Sequence, residues 1–117
     1  NYKIAEYAKA VVDGRPNFHI NLVRDVSPYC DCHAENDIPI VPDVGMFASF
    51  DPVALDLACA DAVNAQPVMP NSKLAKANRP DLDNLTADFP QTSWRSQIEH
   101  AKKIGLGEDC YELVNIG

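Results

Sequence analysis

The sequence predicts a mixed α/β domain, with a small sheet of short strands packed against about three helices. Three observations carry that reading. Apolar residues recur at helical spacing near the start, the middle and the end of the chain. Short β-prone runs lie between the first two of these stretches. Proline and glycine punctuate the junctions where one pattern gives way to the next.

Tyr2 to Asp13 reads as an amphipathic helix, with Ile4, Tyr7, Ala8, Val11 and Val12 on one stripe and Lys3, Glu6 and Lys9 off it. Gly14 suits a helix C-terminal position and Pro16 prevents continuation. Phe18 to Val23 alternates imperfectly and reads as a strand buried on at least one face, with His19 as an ordinary hydrogen-bonded residue. Ser27 to Asp37 turns to loop composition. Ile38 to Val41 is a short strand or extended passage, confined by Pro39 and Pro42 to an edge. Met46 to Phe50 is a second short apolar run, read as a strand ending at the next helix.

The next helix has a clear start. Asp51 is a good N-cap and Pro52 fits the first helical position. Val53 to Val63 is then apolar nearly all round, which predicts a buried helix interrupted by Asp56 and Asp61. A carboxylate one turn into such a helix needs a partner, so Asp56 is expected either to be paired or to belong to a site. Residues 66–91 carry four prolines and no sustained periodicity, and read as a long irregular loop. The last helix is expected to start at Ser93, bury Trp94, Ile98, Ala101 and Ile104, and stop at Gly105-Leu106-Gly107. His100 is a boundary residue of that helix. Tyr111 to Ile116 is β-prone and could add an edge strand.

Composition bounds what such a domain can do. The 117 residues suit a single domain, 1–117, and a helical pattern already under way at Tyr2 suggests a fragment of a larger one. A net charge of −7 argues against nucleic acid as a partner, because phosphate binding needs clustered Lys and Arg. Lys73, Lys76 and Arg79 form one of two small basic groups, read as a solvated face. No apolar run approaches membrane-spanning length. Four irregularly spaced cysteines do not make a disulfide framework and point to a reducing, cytoplasmic setting.

The sharpest chemical signal is Cys30-Asp31-Cys32-His33. Two thiolates one residue apart can hold a soft metal such as zinc or iron, with His33 supplying nitrogen. A closed four-ligand site would need recruits, with Cys59, Asp25, Asp43 or residues outside the fragment as candidates. The competing readings are two reduced structural thiols in a turn, or thiol redox chemistry. A second constellation comprises Asp25, Asp43, Asp51 and Asp56, which could converge at strand ends and bind a divalent cation or act as an acid/base pair. Asp43 and Asp56 are its catalytic candidates, working on a small polar substrate. For Asp51 the simple capping role is the better reading. No phosphate loop, dinucleotide fingerprint or serine-hydrolase elbow is present.

Several segments together resemble one family. They are Glu6-Tyr7-Ala8 before the 18–23 strand, Ser27-Pro28 before Cys30-Asp31-Cys32, Ile40-Val41-Pro42-Asp43-Val44-Gly45, and Ala48-Ser49 before Asp51-Pro52-Val53-Ala54-Leu55-Asp56. Gly105-Leu106-Gly107 before Tyr111-Glu112-Leu113 completes the set. The chain resembles the C-terminal part of domain of unknown function family 362, whose members are often described as iron–sulfur cluster-binding proteins. The resemblance implies a ferredoxin-type segment elsewhere in the same full-length protein, which would be both the partner and the place of the cluster. It implies that Cys30 and Cys32 are not the cluster ligands, and it marks Cys30, Cys32, Asp43, Asp51 and Asp56 as motif positions. A non-catalytic interaction module is the third functional class open at this point.

Overall fold

The computed structural model describes residues 1–117 and places five helices around a two-stranded antiparallel sheet. Tyr2–Val12 forms α1, His19–Val23 forms β1, Gly45–Ser49 forms β2 and Pro52–Asn64 forms α2. Lys73–Ala77 (α3) and Asn84–Asp88 (α4) are single turns, and Arg95–Lys103 forms α5. The strands pair from His19 opposite Ser49 to Val23 opposite Gly45. The α/β class and the three longer helices therefore stand where the sequence puts them. No helix is long and apolar enough to cross a membrane.

α2 is the central element and serves two apolar clusters. Its C-terminal Val63 packs with Val23, Ile40, Val41, Leu74 and Ala87, and its N-terminal Val53 packs with Ala5, Ile98 and Ala101. Asp51 holds its start. Asp51 Oδ1 accepts the N–H groups of Val53 at 2.8 Å and Ala54 at 3.0 Å, while Oδ2 accepts the Glu108 N–H at 2.8 Å. One carboxylate thus caps α2 and fastens the segment that follows α5. The approach requires glycine at 107, because a Cβ there would lie 2.1 Å from Asp51 Oδ1. α5 ends as expected, with Gly105 at φ +72° and the Leu106 N–H bonding back to the Ala101 carbonyl at 2.9 Å.

Five expectations are corrected. The stripe on α1 does not face the core as a whole: Ala5 is the buried residue, whereas Ile4, Tyr7 and Val11 are exposed, because α1 packs chiefly on α5 along its alanine side. Ile38–Val41 is neither a strand nor an extended passage but an irregular connection with bends at Ile38, Ile40 and Val41, yet Ile40 and Val41 are among the most buried residues of the chain. Residues 66–91 are not an irregular loop throughout. Ser72 and Asp83 cap the two single turns there, accepting the N–H groups of Ala75 at 3.1 Å and Thr86 at 2.9 Å. Ser93 does not cap α5: Trp94 occupies that position in helical conformation with no side-chain cap. Tyr111–Ile116 adds no strand. It runs past β2 and α2 across a cavity of about 730 Å³, held by the Tyr111 hydroxyl donating to Asp61 Oδ2 at 2.9 Å.

Asp51→Ala removes both the helix cap and the Glu108 contact. A loss of about 2 kcal/mol is expected, summing a cap and one charge-assisted hydrogen bond. Urea unfolding followed by circular dichroism measures it, and a loss below ~0.5 kcal/mol contradicts the double role.

Candidate functional site

The Cys30–His33 turn projects from the connection between β1 and β2, on a pinned base. The Asn36 side chain closes the neck of this loop, donating to Ser27 Oγ at 3.1 Å and the Tyr29 carbonyl at 3.3 Å while accepting the Tyr29 N–H at 3.4 Å. Pro28 is buried beneath it. The Tyr29 ring meets Phe89 edge-on at 5.8 Å, and Lys73 Nζ lies 3.8 Å above the Phe89 ring and 5.2 Å from that of Tyr29. Lys73 is in turn held by Asp88, at 2.6 Å from the carboxylate and 2.7 Å from the carbonyl. Side-chain exposures of 28% for Lys73 and 6% for Asp88 make this a partly buried pair rather than part of a solvated basic face. Lys76 and Arg79 face Asp37 and Asp81 instead. The segment 66–91 therefore grips the base of the cysteine turn.

At the tip, Cys30 and Cys32 are both exposed and free, and the His33 N–H closes the turn on the Cys30 carbonyl at 2.9 Å. The Cys32 backbone N–H, and after it the Cys32 thiol, bond to the Cys30 sulfur and hold its thiol below the ordinary range. Cys32 moves the opposite way, pushed up by that same thiol bond and by the charge of Cys30. The two sulfurs form one unit with an acidic and a reluctant member. The His33 ring is turned elsewhere, with Nδ1 3.5 Å from Glu35 and the ring beside Tyr29 at 5.3 Å.

Cys59 lies on α2, half-buried. Desolvation pushes its thiol up against the opposing hydrogen bond from Asn21 at 3.6 Å. Cys110 is exposed beyond α5. No three His, Cys, Asp or Glu side chains converge to hold a metal ion. The four-thiolate set that an iron–sulfur cluster requires is not assembled from this chain's own cysteines, and neither is a closed zinc site.

The carboxylates disperse rather than converge. Asp43 Oδ1 accepts the Asp25 N–H at 2.8 Å, which holds Asp25 in its left-handed conformation at φ 49°. The Asp25 carboxylate pairs with Arg24 at 3.0 Å. Asp51 is committed to the helix cap. Asp56 is exposed, not buried as the apolar run around it suggests, and accepts from Asn21 Nδ2 at 3.1 Å. Its side of α2 lies toward solvent, leaving Val53, Ala54, Leu55 and Ala58 to make the buried contacts. With only two antiparallel strands, the sheet has no parallel switch point at which ligand-binding carboxylates would gather. His19 is the ordinary hydrogen-bonded residue expected, 2.7 Å from Asn17 Oδ1. His100 is likewise a boundary residue, stacked on Tyr2 at 4.6 Å and 3.2 Å from Glu6.

Sequence reasoning passed over Tyr29, Asn36, Lys73, Asp88 and Phe89 as members of the site. The readable signal was the pair of cap residues, Ser72 and Asp83, which announce ordered turns inside a proline-rich stretch.

Thiolate, not thiol, is the attacking species. At neutral to mildly alkaline pH, iodoacetamide should label Cys30 ahead of Cys32, with Cys59 last, as read by peptide mass spectrometry over time. Cys32→Ala should slow the labelling of Cys30 while leaving it ahead of Cys59, because the backbone N–H at position 32 remains. Equal rates for Cys30 and Cys32 in the native chain contradict the arrangement. Asp56→Ala should change stability by less than ~1 kcal/mol in a denaturant titration, since one exposed hydrogen bond is lost.

The comparisons with known proteins bear on the first half of the chain. The family described as Domain of unknown function (DUF362) matches residues 1–61. That span contains α1, both strands, the cysteine turn and the start of α2 with Asp51 and Asp56, whereas the Gly105-Leu106-Gly107 and Tyr111-Glu112-Leu113 segments lie outside it. No curated protein and no solved structure matches the chain. With just over half of its residues matched, the chain belongs to the family Domain of unknown function (DUF362).

Proposed function

We propose that the chain is a redox-associated protein whose Cys30-Asp31-Cys32 turn contacts a soft metal ion or faces a ferredoxin-type, iron–sulfur-bearing segment of the same full-length protein. One observation carries the reading: two exposed thiols share a single turn and interact with each other. Soft thiolate pairs favour copper, zinc and iron–sulfur chemistry over hard cations. The pinned base adds support, because donors held by a fixed backbone lose less freedom when they bind. A purely structural pair of thiols would have reason to be packed, as free cysteines usually are. The aspartate-based enzyme reading has no comparable support, since Asp43, Asp51 and Asp56 serve three separate local contacts.

Elemental analysis by plasma mass spectrometry tests the proposal, on protein purified anaerobically without chelator or affinity nickel. The expected result is near-stoichiometric soft metal in the native chain, lost in Cys30→Ser with Cys32→Ser at unchanged melting temperature. Metal content unchanged by the double substitution overturns the assignment to this turn.

A further inference from the structure

The donor set around the turn restricts which metal can be satisfied there. Zinc and ferrous iron reach their preferred coordination with four or more ligands, and a protein that supplies only two leaves the ion half-hydrated and weakly held. At this turn two exposed cysteines stand at positions i and i+2, and no third His, Cys, Asp or Glu of this chain completes a group. His33 is engaged with Glu35 at 3.5 Å and its ring is tilted against that of Tyr29. The Asp25 and Asp43 side chains are occupied at their own contact, Cys59 is bonded to Asn21, and neither arrangement can be recruited without breaking those contacts.

Two thiolates and nothing else is a complete donor set for one class of ion. A monovalent d¹⁰ cation takes two soft ligands in a near-linear arrangement, and its charge is offset by the two sulfurs without any further residue. Sulfur donors at positions i and i+2 of one exposed turn can open to either side of such an ion, because the tip carries only the Cys30–His33 backbone bond while the base is anchored through Asn36 and Tyr29. We infer that the Cys30–Cys32 turn is a two-coordinate site for cuprous copper rather than for zinc or iron. The inference rests on the turn being the metal-contacting element proposed above. Binding releases the remaining thiol protons and forms two Cu–S bonds, with no change of oxidation state at copper or sulfur.

Anaerobic titration of the full chain with cuprous ion, in competition with the chromophoric chelator bicinchoninate, provides the test. One copper per chain should be withdrawn from the chelator. Cys30→Ser with Cys32→Ser should abolish the withdrawal, and His33→Ala should leave affinity within twofold. Zinc, titrated against its own chromophoric chelator, should bind at least a hundredfold more weakly. X-ray absorption at the copper edge of the native chain should show two sulfur scatterers, a readout that does not depend on the variants folding. Failure to withdraw copper, retention of copper by the double serine variant, a tenfold loss with His33→Ala, or three or more scatterers each overturn the two-coordinate site. Stoichiometric zinc or iron that depends on the two cysteines would overturn this inference and leave the proposed function standing. A chain that binds none of these metals through the two cysteines would remove both the cuprous site and the metal-ion form of that function.

Discussion

The Asp51 carboxylate is the contact on which the remaining architecture depends. A helix start exposes N–H groups that have no partner within the helix, and here one oxygen takes two of them while the other takes the Glu108 N–H. The same side chain therefore sets where α2 begins and where the chain leaving α5 must lie. α5 packs against α1, so the position of the N-terminal helix follows from a residue beyond both strands in sequence. Gly107 is the necessary counterpart, since no side chain fits where the carboxylate sits. The contact joins three elements that share only a small apolar cluster.

The second organising contact, Lys73 with Asp88, divides the cysteine loop into a fixed base and an open tip. The ammonium group lies over Phe89 and near Tyr29 while bonded to a nearly buried carboxylate. Burial of such a pair yields little net stability but strongly disfavours separation of its members. The loop base is consequently fixed in place, and the exposed thiols stand on a tip that carries fewer contacts of its own.

Local signals in the sequence were reliable where a residue's role is decided by its nearest neighbours. Asp51 with Pro52, the Gly105 stop, and the strands around His19–Val23 and Gly45–Ser49 follow from capping and alternation, and the fold bears them out. What depended on distant partners was not legible. Asp56 sits in an apolar run, but which side of α2 meets the core is set by β1, β2 and α5 rather than by the helix itself. The α1 stripe misled for the same reason, because close approach to α5 selects the small residue Ala5 over the larger Tyr7. The cysteine turn was recognisable from two letters of sequence. Its clamp was not, because Lys73 and Phe89 lie sixteen residues apart in a stretch whose prolines hide its order.

The outer face of the two-stranded sheet has a consequence for how molecules of this chain behave toward one another. Ile20, Leu22 and Met46 stand exposed there, and the Phe18 and Phe50 rings meet at one end at 4.9 Å. The chain exposes 7770 Å², against roughly 6,300 Å² for a compact monomer of its mass. An oily face on a molecule of charge −7 is a colloidal balance, with short-range adhesion opposed by longer-range repulsion. Added salt screens the repulsion within about 10 Å at 0.1 M and leaves the adhesion intact. Clustering should therefore grow with ionic strength, the reverse of what an association built on ion pairs would do. It should be greatest near pH 4.7, where the net charge vanishes and the oily face is unopposed.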